Sequence, residues 1–277
     1  MPARDDEAHI EASSAPLIEH LIELRQRLVY ALIALAVFAG GCFYFYEPLI
    51  AFLAHPLLSI DPDAVIQTLS PQEAFFTVMN LSIWGGLFFG FPVIAFQLWR
   101  FVAPGLYRSE QSAFLPFLIA SPFLFICGAA LAYFLVIPLA LDFLIAFAES
   151  ATEDGGVNIT NENRFSEYVG FIKVMLLAFG ISFQLPVLIT LMGRAGLVSA
   201  DQLGRGRKYA VVGIAAMAAI ITPPDVISQL ALGISVYVLY EISIHLVRLA
   251  ERRRAARDDE DEEDEFEEGA DETPAGP

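Results

Sequence analysis

The sequence predicts an all-α polytopic membrane protein, and three observations lead to this fold class. First, 56% of the 277 residues are hydrophobic and only 18% are charged, a combination that soluble domains rarely show. Second, the chain contains six apolar runs, most of them near the roughly 20 residues that a spanning helix needs. Third, Lys and Arg alternate between high and low numbers in the segments between the runs.

The predicted spans are four long runs followed by two short ones. They cover residues 28–46, 74–99, 113–141, 167–192, 209–222 and 226–247. The fifth run is short for a full bilayer, and a TPPD turn leaves almost no loop before the sixth, which predicts a tight hairpin in a locally thinned bilayer. A single broken helix is the competing interpretation. Prolines within or near the spans predict kinks, curved helices and a concave overall shape.

The distribution of Lys and Arg predicts the orientation of the chain. From the N-terminus onward, the segments outside the spans carry three, none, two, one, four, none and five of these residues. Because positive charge is enriched on the cytoplasmic side, this alternation places both termini in the cytoplasm. It also supports an even number of spans independently of hydropathy.

The rest of the chain is predicted to form two tails and a short amphipathic helix. Residues 1–16 are polar, show no cleavable signal peptide and are expected to be disordered. Residues 17–27 form an amphipathic pre-helix that opens a membrane domain of residues 17–250. Residues 251–277 are basic and then acidic, and the last twenty carry twelve acidic residues and no Lys or Arg, which predicts a disordered cytoplasmic tail.

Two helix starts have the spacing of a capping box with proline in the first turn. Ser70 is followed three residues later by Glu73, and Thr222 is followed at the same distance by Asp225. The loop 47–73 before the second span contains too many prolines for a span and is expected to form short interfacial helices.

A GxxxG pair in the second span predicts close helix packing. Gly86 and Gly90 lie one turn apart, and small residues at this spacing let a second helix approach closely within a membrane.

Two carboxylates lie near the predicted cytoplasmic face. In HLIELRQRL (20–28), Glu23 lies opposite the leucine face, within pairing distance of Arg27 and about 160° from Arg25 at 100° per residue. Glu110 lies near the start of the third span, at the same membrane face. An amphipathic anchor and a favourable helix dipole would explain these residues. Two carboxylates on one rim would also bind guanidinium groups.

Polar residues inside the spans indicate a structural or functional role, because burying a polar side chain in lipid costs free energy. Lys173 is close enough to a membrane face to snorkel. Gln184 lies two residues before Pro186, where its amide could satisfy the kink or a neighbouring helix. Asp225 and Gln229 are four residues apart and share one face of the sixth span.

Five segments, in order and at the expected spacing, resemble the TatC family, the polytopic core of the twin-arginine protein translocase. They are HLIELRQRL, FVAPGLYRSE, AYFLVIPLALDFL, AFGISFQLPV and TPPDVISQ. The resemblance extends from about residue 17 to residue 248.

This resemblance implies a receptor and not an enzyme. Family members bind the twin-arginine signal peptides of folded cargo and assemble with TatA-type and TatB-type single-span subunits and with other copies of themselves. Transport is driven by the protonmotive force, without nucleotide hydrolysis, and no cofactor, metal or nucleic acid is expected. The implied location is the bacterial cytoplasmic (inner) membrane.

The family's functional positions can be carried over where the motifs match. The signal-peptide carboxylates correspond to Glu23 and Glu110, with Arg25 and Phe101 in the same two motifs.

Further positions that family members need for partner contact or translocation correspond to Pro56, Asp225 and Gln229. The family's membrane-buried polar position falls at Gln184, where the better-known pattern has Glu. An amide cannot titrate, so no role in proton uptake is expected at this position, whereas a hydrogen-bonding role in docking a partner helix is compatible with it.

The alternative from another functional class is a secondary transporter of a small solute. Such a protein is expected to contain an internal repeat with discontinuous helices near the membrane centre. The sequence shows no such repeat, and its charged residues concentrate near the membrane faces. An intramembrane enzyme is weaker still, since the four histidines are scattered and no HExxH motif is present.

Overall fold

The computed structural model describes residues 3–102, 115–153, 163–222 and 225–271, and these are almost entirely helical. The α-helices are α1 (Ala3–Tyr44), α2 (Tyr46–Ile60), α3 (Pro71–Val102), α4 (Leu115–Leu131), α5 (Ile137–Glu153), α6 (Phe165–Ser182), α7 (Leu185–Arg194), α8 (Ala200–Ile221) and α9 (Val226–Asp271). A π-helical turn (Ala132–Val136) joins α4 to α5. Two short strands, β1 (Ile66–Gln67) and β2 (Asn163–Arg164), pair in parallel. The predicted all-α class is confirmed.

Five helical segments in the described residues are long and apolar enough to cross a membrane. They are Leu21–Tyr44, Pro71–Leu98, Phe117–Ala148, Phe165–Arg194 and Val226–Arg252. Each coincides with a predicted span. The remaining predicted span, the fifth (209–222), falls on the second half of α8, and at 1.5 Å per residue this half is only about 20 Å long. The count of six spans and the cytoplasmic location of both termini remain predictions.

Two helices extend beyond their predicted bounds. The first, α1, runs without a break through residues predicted as a disordered terminus (1–16), a pre-helix (17–27) and the first span. The last, α9, continues through most of the predicted tail 251–277. Ala, Glu and Arg occur in both segments and have high helix propensity, which explains why the helix boundaries differ from the predicted ones.

The chain divides into two compact units, residues 1–180 and 181–277. In the first unit, α1 and α3 form an antiparallel pair in very close contact. A Cβ atom built on Gly86 would lie 2.6 Å from the backbone nitrogen of Ala39, and one on Gly90 would lie 3.2 Å from the ring of Phe38. The predicted close approach at the GxxxG pair is therefore confirmed.

Two tyrosines fix α2 within the first unit. The hydroxyl of Tyr133, in the π-helical turn, donates to the carbonyl of Phe52 at 2.6 Å, and that of Tyr168 donates to the carbonyl of Leu53 at 2.7 Å. The rings of Phe52 and Tyr133 stack with centroids 4.3 Å apart. The helix α2 is thus a single packed helix within the loop predicted to form short interfacial helices.

In the second unit, α7 and α8 pack against α9. Ala200, Ile244 and Val247 form a fully buried cluster at this junction. A Cβ atom on Gly193 would lie 2.7 Å from the side chain of Val247. Glycine therefore sets the distance between α7 and α9.

The predicted helix start at Ser70 is confirmed, although the Glu73 side chain accepts from the N–H of Leu69, whereas the predicted start at Thr222 is wrong. The hydroxyl of Ser70 accepts from the backbone N–H of Glu73 at 3.2 Å, as predicted. Thr222 instead ends α8 and donates back to the carbonyl of Ala218 at 2.9 Å. The cap of α9 is Asp225, whose carboxylate accepts from the backbone N–H of Ser228 at 2.6 Å.

Candidate functional site

The candidate rim lies in the first unit, where the middle of α1 packs beside the end of α3. Arg27 donates to Glu23 at 2.9 Å and reaches across to the side-chain oxygen of Gln97 at 3.4 Å. The Glu23 side chain is 31% exposed and the Arg27 side chain is 18% exposed. The local pair predicted from the spacing of Glu23 and Arg27 is therefore confirmed. A half-buried carboxylate at this position can accept further hydrogen bonds from guanidinium groups.

The structure places a second residue of the predicted rim near the first. Phe101 lies in the last turn of α3, one turn beyond Gln97, so the backbone brings its position to the same end of the α1–α3 pair as Glu23. Arg25 is exposed on α1. Glu110 lies outside the described residues.

Gln184 lies at the junction of α6 and α7, where it precedes Leu185 and Pro186. Its backbone N–H donates to Ile181 at 2.9 Å and its carbonyl accepts from Leu188 at 3.0 Å. The predicted kink at Pro186 is confirmed as a break between the two helices, because residues 183 and 184 form a turn. The Gln184 side chain is partly buried.

Asp225 and Gln229 lie in the first turn of α9, at the end predicted to face away from the cytoplasm. Asp225 is only 3% exposed, and its carboxylate accepts from both the N–H and the hydroxyl of Ser228. Gln229 is partly buried, and its N–H donates to the Asp225 carbonyl at 3.3 Å. Asp225 therefore has a structural role as a helix cap, which the sequence analysis attributed to Thr222.

Pro56 is buried inside α2, where its carbonyl accepts from the hydroxyl of Ser59 at 2.8 Å. Its missing N–H leaves a gap in the helical hydrogen bonds. Its position in α2, next to the turn held by Tyr133 and Tyr168, indicates that it shapes the docking of this helix.

A polar cluster around Glu73 is a feature that the sequence analysis missed. The Glu73 carboxylate accepts from Arg164 at 2.8 Å, from the hydroxyl of Ser166 at 2.6 Å and from the N–H of Leu69 at 3.0 Å. Hydrogen bonding and attraction from Glu73 raise the pKa of the Arg164 guanidinium above its ordinary value. The cluster fixes β2 beside β1, and its only sequence signal was the capping spacing of Ser70 and Glu73.

A second ion pair holds α8 to α9 in the other unit. Arg207 donates twice to Glu241, at 2.7 and 3.0 Å, in a bidentate arrangement. This contact raises the pKa of Arg207. The pair joins residues 34 positions apart, so no local spacing could indicate it.

Comparison with known proteins identifies the family. Residues 19–234 match the family described as Sec-independent protein translocase protein (TatC). The TatC of Magnetococcus marinus is 43% identical over 245 residues, 88% of each chain. The TatC of Aquifex aeolicus is 39% identical over 86% of this chain and 97% of the relative, and that of Escherichia coli K12 is 38% identical over 84% and 88%.

A solved structure supports the same assignment. A crystal structure of a twin-arginine translocase receptor, TatC, aligns with a TM-score of 0.73 at 39% identity, covering 83% of this chain and 99% of that chain. The family is one of protein transport rather than catalysis. The chain therefore belongs to the TatC family and is a multi-pass membrane component of a Sec-independent protein translocase.

Proposed function

We propose that this chain is the receptor and core subunit of a twin-arginine export system, and that Glu23 and Glu110 bind the two arginines of cargo signal peptides. The observation that carries the proposal is the contact of Glu23 with Arg27 at 2.9 Å. At this position the chain already holds a guanidinium against a half-buried carboxylate. The site is therefore suited to the group that a twin-arginine peptide presents.

The binding chemistry rests on charge and partial desolvation. Exposed ion pairs contribute about 0–1 kcal/mol, whereas hydrogen bonds to charged groups contribute about 1.5–3 kcal/mol when they are partly shielded. Glu23 is shielded on one side by the α1–α3 pair. Phe101, at the end of α3, would cover the peptide from the other side, and Arg25 would help to orient it.

The remaining parts of the proposal concern partners and location. Single-span subunits of the TatA and TatB types would dock near Gln184, where an amide in a lipid environment favours a hydrogen bond between helices. Asp225 and Gln229 would maintain the start of α9 during translocation, and Pro56 would maintain the shape of α2. The chain would lie in a bacterial cytoplasmic membrane with both termini inside, and the protonmotive force would drive transport.

The proposal can be tested by peptide binding to the full chain in detergent. Glu23→Gln and Glu110→Gln remove one carboxylate each, and each is expected to weaken the binding of a twin-arginine peptide roughly tenfold. Glu47→Gln is the matched control, since Glu47 is an exposed carboxylate in the first turn of α2. Unchanged binding in the Glu23→Gln, Glu110→Gln double variant would contradict the proposal. Solute uptake by vesicles containing this chain alone would favour a secondary transporter.

A further inference from the structure

The first unit contains an apolar cavity that the proposed receptor function does not use. It has a volume of about 260 Å³ and lies between α2, α3, α4, the π-helical turn and α6. Six aromatic side chains form part of its wall, with Phe52, Trp84, Phe88, Phe89 and Phe134 among them. An apolar cavity of about 150 Å³ already binds a small apolar molecule, so this one can hold a longer hydrocarbon segment.

The mouth of the cavity opens at the surface of the helices. Phe134 is 74% exposed, and Phe52 and Phe89 are each 51% exposed. These rings belong to helices that cross the membrane or pack against them, so the mouth opens toward lipid. An acyl chain, one methylene wide, fits an open apolar space of this volume.

One charged residue lines this cavity. Lys173 is the single charged member of the sixteen lining residues in the described part of the chain; because the wall is almost wholly apolar, its methylene groups line the cavity while its ammonium group lies at the edge. Its ammonium group donates to the side-chain oxygen of Asn80 at 2.7 Å and lies 5.2 Å from the centre of the Trp84 ring. Both partners are uncharged, and an ammonium group in a membrane is stabilised most by an anion.

We propose that this cavity binds an anionic phospholipid, with an acyl chain between the aromatic rings and a phosphate oxygen on Lys173. An ammonium group has three donors, so Lys173 can contact a phosphate while it keeps its bond to Asn80. The apolar wall binds the acyl chain of the lipid, and the Lys173 ammonium group favours an anionic headgroup. This proposal is independent of signal-peptide binding at Glu23.

The test uses the full chain, stripped of lipid in detergent and then titrated with phosphatidylglycerol or phosphatidylcholine of identical acyl chains. Bound lipid is counted by native mass spectrometry. We expect the wild type to prefer phosphatidylglycerol about fivefold, as one cation near an anionic headgroup implies. Lys173→Gln should abolish the preference and Lys173→Arg should keep it. Lys208→Gln, which changes an exposed lysine in the other unit, should have no effect.

A second variant distinguishes the contribution of the acyl chain to binding from that of the headgroup. Ala130 lines the cavity, and Ala130→Phe should fill it and reduce the binding of both lipids, while inorganic phosphate at millimolar concentration should not compete. The thermal midpoint of each variant checks folding. Equal binding of the two lipids by the wild type would overturn the proposal. So would a preference that survives Lys173→Gln, or that Lys208→Gln abolishes equally.

Discussion

Two carboxylates at opposite ends of the α1–α3 pair have different surroundings. Glu73 is 8% exposed and accepts from Arg164, Ser166 and the N–H of Leu69. Glu23 is 31% exposed and its partner Arg27 lies one turn away on the same helix. A carboxylate saturated by distant parts of its own chain stabilises the fold, whereas one held by a single local partner can exchange it for a ligand.

The largest expected effect comes from separating the two helices that carry both carboxylates. Gly86→Leu places a side chain where a Cβ atom alone would lie 2.6 Å from the Ala39 nitrogen. We expect the free energy of unfolding to fall by about 3 kcal/mol, at the upper end of the usual cost of overpacking. Gly40→Leu is the control, because a Cβ atom on Gly40 meets nothing within 4 Å. Equal losses would refute the close contact of α1 and α3.

The next effect extends the comparison to the second unit. The carboxylate of Asp225 resembles that of Glu73 because it accepts hydrogen bonds from groups of its own chain. Asp225→Ala should lower the free energy of unfolding by about 1 kcal/mol, the usual cost of a lost helix cap. Asp225→Asn should retain most of the stability, since an amide oxygen can also cap. Thermal unfolding measures both. A loss of export with Asp225→Asn at unchanged stability would instead show a need for its charge.

A smaller effect should show that the Glu73 end and the Glu23 end of the first unit act independently. Glu73→Gln should speed amide hydrogen exchange at Ile66 and Gln67 by up to about fivefold, because Arg164 is partly exposed and its pair with Glu73 is screened. Binding of a twin-arginine peptide should not change. Glu167→Gln removes a more exposed partner of Arg164 and should leave the exchange near its original rate. Weaker peptide binding by Glu73→Gln would remove the distinction between the two carboxylates.

The smallest effect concerns the local partner of Glu23. Arg27→Gln removes a competitor whose i, i+4 pair contributes about 0.2–0.5 kcal/mol. We therefore expect the peptide to bind about twofold more tightly, as measured by fluorescence anisotropy. Arg205→Gln, at an exposed arginine of α8, controls for the change in net charge. Weaker binding would mean that Arg27 positions Glu23 for the ligand.

Local features of the sequence predicted much of this structure. Apolar run length located five spans, the spacing of Ser70 and Glu73 located a helix start, and Gly86 located a close helix contact. Glu23 with Arg27 was also predictable, because both lie on one helix face. These features depend on residues within about one or two helical turns, or on a small residue whose effect does not require its partner to be known.

Contacts between distant residues could not be predicted in this way. Arg164 meets Glu73 across 91 positions, and Arg207 meets Glu241 across 34. The spacing of Thr222 and Asp225 around two prolines predicts a cap at Thr222, whereas the buried carboxylate of Asp225 accepts from the N–H of Ser228 and caps α9. The cavity at Lys173 required five elements to be placed together, which no single segment determines.

The most direct test of the receptor proposal is a double-mutant cycle between Glu23 and the cargo arginines. The affinities of twin-arginine and twin-lysine peptides are measured for the wild type and for Glu23→Gln. Arginine binds a carboxylate bidentately and lysine does not, so the wild type should prefer the twin-arginine peptide and Glu23→Gln should lose most of that preference. A coupling free energy of roughly 1 kcal/mol or more is predicted. Additive effects would contradict direct contact between Glu23 and the arginines.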